Sequence, residues 1–253
     1  MAWIGSAALG PGSAGAQPVV AEAPAQEGAS TATLVAGARI VDGSGAPAWP
    51  GELLIHGDRI VALGAPGELD RGPDVEVVDL DGLVLAPGFV DIHNHSTDRI
   101  FREPDATTQV AQGVTTIVVG ADGSSPWPVG EYLDRIDASG VALNVATMVG
   151  HGTVRRAVMG EDYARPASAE ELAAMAERVA TGMRAGAFGM SSGLEYDPGF
   201  YSDTEELIAL AEVAAAHGGI YMTHMRDEEQ GLLEAVDEAI RIGRETGAPV
   251  QIS

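Results

Sequence analysis

The sequence is organised around one stretch, Pro87-Gly88-Phe89-Val90-Asp91-Ile92-His93-Asn94-His95. A Pro-Gly turn opens a short apolar run, which predicts a β-strand that delivers two histidines to one edge of a sheet. Side chains two residues apart on a strand share a face, so His93 and His95 can present two imidazoles to one ion. An H-x-H pair alone is a weak signal, so the metal hypothesis depends on further ligands that the rest of the chain brings to the same place.

After Pro87, strand-like runs alternate with helix-like segments, a pattern typical of a parallel sheet with crossover helices. We predict six strands, at residues 89–93, 115–120, 141–149, 187–191, 219–224 and 249–253. The helices between them include one opened by a capping-box pattern at Ser168–Glu171, one opened by Ser202–Glu205 and one that starts near Glu228. The predicted fold class is therefore α/β, a (β/α)8 TIM-like barrel of which about six strands are present.

Polar residues follow these strands at the end where parallel barrels place their active sites. They are His93 and His95 after the first strand, Asp122 after the second, His151 after the third, Glu195 after the fourth and His224 after the fifth. Three histidines with one or two carboxylates suit zinc or another divalent transition ion, with a position left for water. We predict a site for one or two divalent ions with the ligands His93, His95, Asp122, Glu195 and His224. For His151, a hydrogen bond to a loop carbonyl is an equal alternative.

The composition restricts the partners. Thirty-seven acidic residues oppose fourteen basic ones, and the formal charge of −23 disfavours nucleic acid and anionic membranes. No run reaches the ~18 consecutive apolar residues of a membrane span. The chain contains no cysteine and no lysine, so a bridge between two ions must be a carboxylate, Asp122 or Glu195. We expect a small-molecule partner, with no nucleic acid and no membrane, and leave the oligomeric state open.

The rest of the chain divides by composition. Residues 1–30 are rich in Ala, Gly, Pro and Ser, and are either the remnant of an export signal or a disordered leader. The localisation therefore stays open between the cytoplasm and export to the periplasm or beyond. Residues 31–86 alternate short apolar runs with glycine turns, including a hairpin at Gly57-Asp58, and predict a small β-sandwich portion. Residues 87–253 form the incomplete barrel.

Several motifs together carry a resemblance to a known family. They are Asp79–Gly82, Ala86–His95, Gly113–Thr116, Val149–Arg155, Gly186–Tyr196 and Tyr221–Arg226. From about residue 32 to 253, the chain resembles the N-acyl-D-amino-acid deacylases, also called D-aminoacylases, of the amidohydrolase superfamily. The last three motifs are specific to these deacylases within the superfamily.

The resemblance implies a metal-dependent barrel with a flanking β-sandwich that hydrolyses the linear amide bond of an N-acyl-D-amino acid. Zinc would activate water for this reaction, which yields a carboxylate and the D-amino acid. Tyr196 and Arg226 lie beside the predicted ligands, and we expect them, with His151, to contact the substrate. Arg226 would act as a carboxylate clamp, with an ion pair to Asp227 or Glu228 as the alternative.

The chain departs from the family's pattern in two places. Relatives often have a bridging cysteine after the second strand, where this chain has Asp122. We favour Glu195 as the bridging carboxylate, because related enzymes place a bridging lysine at the end of the fourth strand. The family also supplies a metal histidine after the sixth strand and a catalytic aspartate after the eighth, and both positions would lie beyond Ser253. We therefore expect a fragment of a longer enzyme that is inactive by itself.

Two other functions are kept as alternatives. A cyclic-amide hydrolase of the dihydroorotase or hydantoinase kind is disfavoured, because those enzymes usually rely on the bridging lysine that this chain lacks. A non-catalytic truncated barrel protein is disfavoured by the joint presence of His93, His95 and His224, although the expected truncation favours it for this polypeptide.

Overall fold

A computed structural model of the protein describes residues 32–253. The predicted leader, residues 1–30, lies outside the described residues. The described residues divide into two compact units, residues 32–87 and Gly88–Ser253. None of the helices in residues 32–253 has the length and apolar character needed to cross a membrane.

The first unit contains one five-stranded sheet. Its strands are β1 (Ala32–Ile40), β2 (Trp49–His56), β3 (Arg59–Gly64), β4 (Val75–Asp79) and β5 (Val84–Leu85). The sheet has the order β3-β2-β1-β4, with β5 also paired to β1, and the pairs that β1 forms with β4 and β5 are parallel. The predicted hairpin at Gly57-Asp58 is confirmed, because His56 pairs with Arg59. Within residues 32–87 the structure shows this one sheet, and the β-sandwich portion stays a prediction.

The second unit alternates strands with helices, as predicted. Its strands are β6 (Phe89–Asn94), β7 (Val114–Val119), β8 (Asn144–Thr147), β9 (Val149–Gly150), β10 (Gly189–Gly193), β11 (Ile220–His224) and β12 (Val250–Ile252). Its helices are α1 (Thr107–Val110), α2 (Val129–Ser139), α3 (His151–Met159), α4 (Ala169–Arg184), α5 (Thr204–Ala216) and α6 (Leu232–Thr246). All strand pairs in this unit are parallel.

These strands form two sheets, β6-β7-β8 and β9-β10-β11-β12, which one chain segment joins. β8 pairs with β7, whereas β9, two residues later, pairs with β10. Between them, Met148 is fully buried and its backbone N–H donates to the carbonyl of Val119 at 2.9 Å. The prediction of one uninterrupted third strand over residues 141–149 was wrong, because the segment changes its pairing partner at Met148. The strands β6 to β12 therefore occupy six successive positions, with the β8–β9 segment counted as one, and all of them are parallel. We call this set of strands the arc.

The helices cover this arc through an apolar core. The fully buried core side chains include Met175 and Val179 from α4, Leu207 and Leu210 from α5, and Ile242 from α6. Removing each such side chain from water contributes about 1.5–3 kcal/mol. This packing fixes the strands whose C-terminal ends carry the polar residues of interest.

Two helix starts differ from their predicted positions. The capping box of α4 is confirmed, since the Ser168 hydroxyl accepts a hydrogen bond from Glu171 N–H and the Glu171 carboxylate accepts one from Ser168 N–H. α5 begins one residue later than its predicted opening, because the side chain of Asp203 caps it by accepting from Glu206 N–H. α6 begins at Leu232 rather than near Glu228.

Candidate metal centre

The first strand of the arc, β6, ends with the two histidines of the H-x-H motif. His93 lies in β6 and His95 follows it, with their Nε2 atoms 3.0 Å apart. Asp91 and Asn94 stabilise this strand end, because Asn94 Nδ2 donates to Asp91 Oδ2 at 2.7 Å. Asn94 Oδ1 in turn accepts from the backbone N–H of Ser96 at 2.8 Å. The two imidazoles are thus held side by side at the C-terminal edge of the sheet.

Asp122 joins the two histidines from the loop after β7. Its φ of +54° lies in the left-handed region that few residues other than glycine adopt. The loop packs closely on β10: a Cβ added to Gly193 would lie 2.4 Å from the Asp122 carbonyl oxygen, and one added to Gly123 would lie 2.8 Å from Gly193 N. Only glycine allows this approach, which fixes the position of the Asp122 carboxylate.

The three side chains have the spacing of ligands that share one ion. Asp122 Oδ2 lies 3.1 Å from His93 Nε2 and 3.2 Å from His95 Nε2. Two ligands of a tetrahedral zinc ion, each about 2.05 Å from the metal, are about 3.3 Å apart. Asp122 Oδ1 is buried and accepts no hydrogen bond from any described residue, which is unusual for a buried carboxylate oxygen. Both observations fit a divalent cation held by these residues.

A second group of polar side chains lies next to the other oxygen of Asp122. His224 ends β11, and its Nδ1 lies 4.0 Å from Asp122 Oδ1. The His224 Nε2 atom is 3.1 Å from Glu195 Oε2 and 3.7 Å from Glu228 Oε1. The Tyr196 hydroxyl is 2.7 Å from each of the two ring nitrogens. Oxygen atoms therefore surround the His224 imidazole.

The two carboxylates that we considered as a bridge between ions, Asp122 and Glu195, have different neighbours. One Asp122 oxygen faces His93 and His95, and the other faces His224. The ion pair of Glu195 is with His224. Our preference for Glu195, drawn from the position of a lysine in related enzymes, stays a prediction, and Asp122 is the other candidate.

The phenol of Tyr196 is protonated at neutral pH. Burial raises the pKa of Tyr196 above its ordinary value of 10.0, and the negative charges of Asp122, Glu195 and Glu228 raise it further. A protonated phenol donates a hydrogen bond. Tyr196 therefore offers a donor next to His224.

A cavity of about 510 Å³ opens beside Asp122 and Tyr196. Its walls come from the loop after β7, the first two turns of α3 and the loop after β10. The lining residues are Asp122, Gly123, Ser124, Gly152, Thr153, Arg156, Ala157, Gly193, Tyr196, Asp197, Pro198 and Gly199. Half of them are glycine, alanine or serine, which leaves room for a ligand, and the volume is typical of small-molecule sites.

His151, which we expect to contact the substrate, is buried behind the residues that line this cavity. It is the first residue of α3, its side chain is 0% exposed, and its Nε2 lies 2.7 Å from Glu206 Oε1. The same carboxylate accepts a hydrogen bond from Arg155, which is also fully buried. The acidic partner on α5 holds His151 and Arg155 in a buried network that joins α3 to α5.

Arg226 forms an ion pair with a residue other than Asp227 and Glu228, the two partners that we considered. Its Nε and Nη2 atoms donate to the two oxygens of Glu238 at 3.0 and 2.9 Å, and Nη1 donates to the carbonyl of Phe200 at 3.2 Å. Arg226 is thus bound bidentately by Glu238, and its predicted contact with a substrate carboxylate stays a prediction. The alternative that we considered, an ion pair with Asp227 or Glu228, is not the one observed: the acidic partner of Arg226 is Glu238 on α6.

Sequence reasoning missed three charged residues of this region. Glu228 lies near His224, Arg156 lines the cavity and Glu206 holds His151. Acidic residues are common in the first turn of a helix, so the position of Glu206 did not predict a buried ion pair. The sequence does contain a feature that predicts burial of Glu206: this residue precedes the inward-facing Leu210 by four residues and therefore lies on the same face of the helix.

Known proteins resemble the chain over most of its length. The model of the amidohydrolase family matches residues 76–253. A D-aminoacylase of Alcaligenes xylosoxydans xylosoxydans is 41% identical over 243 residues, 87% of this chain and 49% of that protein. An N-acyl-D-aspartate deacylase of the same organism is 37% identical over 244 residues, 87% of this chain and 48% of that protein.

A solved structure is similar over nearly the same share of this chain. The N-acyl-D-glutamate deacylase of Bordetella bronchiseptica, in complex with zinc and a phosphonate inhibitor, superposes with a TM-score of 0.79 at 34% identity. The match covers 86% of this chain and 50% of that one, so the chain spans about half the length of its relatives. The match to the family model and the identity to these relatives lead to one conclusion: the chain belongs to the amidohydrolase family, and its relatives there include D-aminoacylase and the deacylases of N-acyl-D-aspartate and N-acyl-D-glutamate.

Proposed function

We propose that the chain supplies the metal centre and part of the substrate cavity of a zinc-dependent hydrolase that removes the acyl group of N-acyl-D-amino acids. The observation that carries the proposal is the triangle of His93 Nε2, His95 Nε2 and Asp122 Oδ2, with edges of 3.0 to 3.2 Å. The relatives' names, D-aminoacylase and N-acyl-D-aspartate deacylase, support the substrate class.

The residues divide into two groups around Asp122. His93, His95 and Asp122 would hold one divalent ion, and Asp122 Oδ1 with His224 would take part in holding a second. When bound, zinc polarises an amide carbonyl and makes water a nucleophile near neutral pH. The two oxygens of Asp122 keep both groups in one place, beside the cavity.

Tyr196 supplies a hydrogen-bond donor at the reacting end of the cavity. A fixed donor next to an amide carbonyl stabilises the negative charge that develops on the carbonyl oxygen during attack. Glu195 and Glu228 lie beside His224, where either carboxylate can accept a proton from water or pass one on.

The cavity accommodates a linear amide. A volume of about 510 Å³ holds an N-acetyl amino acid with a medium-sized side chain. A cyclic-amide hydrolase stays the weaker alternative, since no lysine is present to bridge two ions.

Calorimetric titration of the zinc-loaded chain tests this proposal. N-acetyl-D-methionine should bind at least about tenfold more tightly than its L-enantiomer, a difference of about 1.4 kcal/mol. Binding should depend on zinc and should be lost in Asp122→Asn. Equal binding of the enantiomers, or tighter binding of dihydroorotate or hydantoin, would refute the linear D-amide assignment. Ligand binding that is unaffected by removal of zinc would refute the metal-dependent function.

A further inference from the structure

Arg156 is the basic side chain among the residues that line the cavity. It lies on α3, one turn after Thr153, and is exposed to solvent. Within residues 32–253, Arg156 forms no ion pair, whereas the preceding residue, Arg155, is buried and paired with Glu206. In a chain with a net charge of −23, a guanidinium without an acidic partner beside a cavity is a candidate anion-binding group.

A neighbouring tyrosine holds the Arg156 side chain without using its hydrogen-bond donors. The guanidinium carbon lies 4.5 Å from the centre of the Tyr163 ring. Stacking of this kind occupies the face of the guanidinium and leaves the N–H groups at its edge free. The Tyr163 hydroxyl donates to Asp197 Oδ2 at 3.2 Å, so the same tyrosine connects the Arg156 side chain to the loop after β10, which also lines the cavity. Arg156 is thus preorganised with open donors.

The remaining charges of the cavity define what Arg156 can bind. The two acidic lining residues are Asp122, which faces the histidines, and Asp197, whose Oδ2 accepts the hydrogen bond from Tyr163. Neither forms an ion pair with Arg156 in the structure. A planar guanidinium with free donors matches a carboxylate in a bidentate arrangement.

We propose that Arg156 is a specificity-determining residue that binds a carboxylate of the ligand in this cavity. The inference rests on the proposed function, because an N-acyl amino acid carries an α-carboxylate and, when acidic, a second carboxylate on its side chain. A guanidinium can bind either carboxylate with the same hydrogen-bond geometry. The amide carbonyl would then face Asp122 and Tyr196 while a carboxylate contacts α3.

Two isomeric ligands separate the possible sources of the carboxylate. N-acetyl-D-glutamine carries only the α-carboxylate, N-acetyl-D-isoglutamine carries only the side-chain carboxylate, and the corresponding diamide carries neither. Their dissociation constants are measured by calorimetry on the zinc-loaded chain and on the variants Arg156→Gln and Arg156→Lys. Arg178→Gln is the matched control, because Arg178 also stacks on an aromatic ring, that of Trp127, but does not line the cavity.

Arg156→Gln should weaken the isomer whose carboxylate Arg156 binds by about tenfold or more, since a charge-assisted bidentate contact is lost. Binding of the diamide should not change. Arg156→Lys should give an intermediate loss, because an ammonium cannot bind in a bidentate way, and Arg178→Gln should resemble the original chain. Unchanged binding of both isomers in Arg156→Gln would overturn the proposal while leaving the proposed function intact. Failure of the original chain to bind any of the three ligands would refute both.

Discussion

Asp122→Asn is the substitution that most sharply separates a metal centre from an incidental cluster. Asparagine keeps the size of the side chain and removes the negative charge of the triangle. Asp122 Oδ2 contacts both histidines, and the side chain is only 18% exposed, so solvent screens the lost charge poorly. Loss of a residue that only supports a ligand lowers metal affinity 10–100-fold. Loss of a direct anionic ligand should therefore weaken zinc binding at least ~100-fold, or about 2.7 kcal/mol.

Competition calorimetry with a chelator at pH 7.5 measures this change. Asp197→Asn is the matched control, because Asp197 lines the same cavity and its removal changes the net charge equally. Its hydrogen bond is with Tyr163 rather than with a histidine, so the control should bind zinc within about threefold of the original chain. Equal losses in the two variants would show that the general negative charge, not a ligand, holds the ion. Unchanged zinc affinity in Asp122→Asn would refute the proposal that Asp122 binds the ion together with His93 and His95.

The other predictions concern the buried network, the loop and a helix cap. Glu206→Gln leaves the buried Arg155 without its counter-charge, and we expect urea denaturation to show a loss of about 3–5 kcal/mol. Although burial raises the pKa of Glu206, hydrogen bonds from its two buried partners hold that pKa below its ordinary value of 4.5. The original chain should therefore lose this stability as the pH falls through the lowered pKa, and the variant should not. Gly193→Ala places a methyl group 2.4 Å from the Asp122 carbonyl oxygen and should weaken zinc binding at least about tenfold in the same calorimetric assay. Ser168→Ala removes the N-cap of α4 and should lower the unfolding free energy by about 1 kcal/mol in urea.

Each of these predictions has a control and a contradicting result. Glu177→Gln breaks an exposed ion pair and should change the unfolding free energy by less than about 1 kcal/mol; a loss as large as that of Glu206→Gln would mean that burial is irrelevant. Gly130→Ala meets its nearest atom at 3.7 Å and should leave zinc binding unchanged. Equal zinc affinity in Gly193→Ala would show that the loop tolerates displacement. An unchanged midpoint in Ser168→Ala would show that the cap contributes nothing.

The elements that the sequence predicts well depend on local pattern. The capping box of α4 needs only Ser168 and Glu171, three residues apart. The meeting of His93 with Asp122 follows from the parallel strand order, because neighbouring strand ends share an edge. The break in the third strand could not be predicted from local pattern. The apolar pattern of residues 141–149 is the same whether the whole segment pairs with β7 or changes its partner to β10 at Met148.

The roles of His151 and Arg226 required knowledge of partners that are distant in sequence. His151 follows a strand as a ligand would, yet it turns inward because Glu206, 55 residues later, is buried against it. Arg226 is fixed by Glu238 across the gap between β11 and α6. Pairings of this kind depend on how helices pack on the arc, and a single sequence does not contain that information.

An X-ray structure of the zinc-loaded chain, with anomalous data collected at the zinc edge, tests the central claim most directly. We predict an anomalous peak about 2.0–2.2 Å from His93 Nε2, His95 Nε2 and Asp122 Oδ2. A second peak, if present, should lie between Asp122 Oδ1 and His224. A zinc peak elsewhere, with the three side chains uncoordinated, would contradict the metal centre and the function built on it.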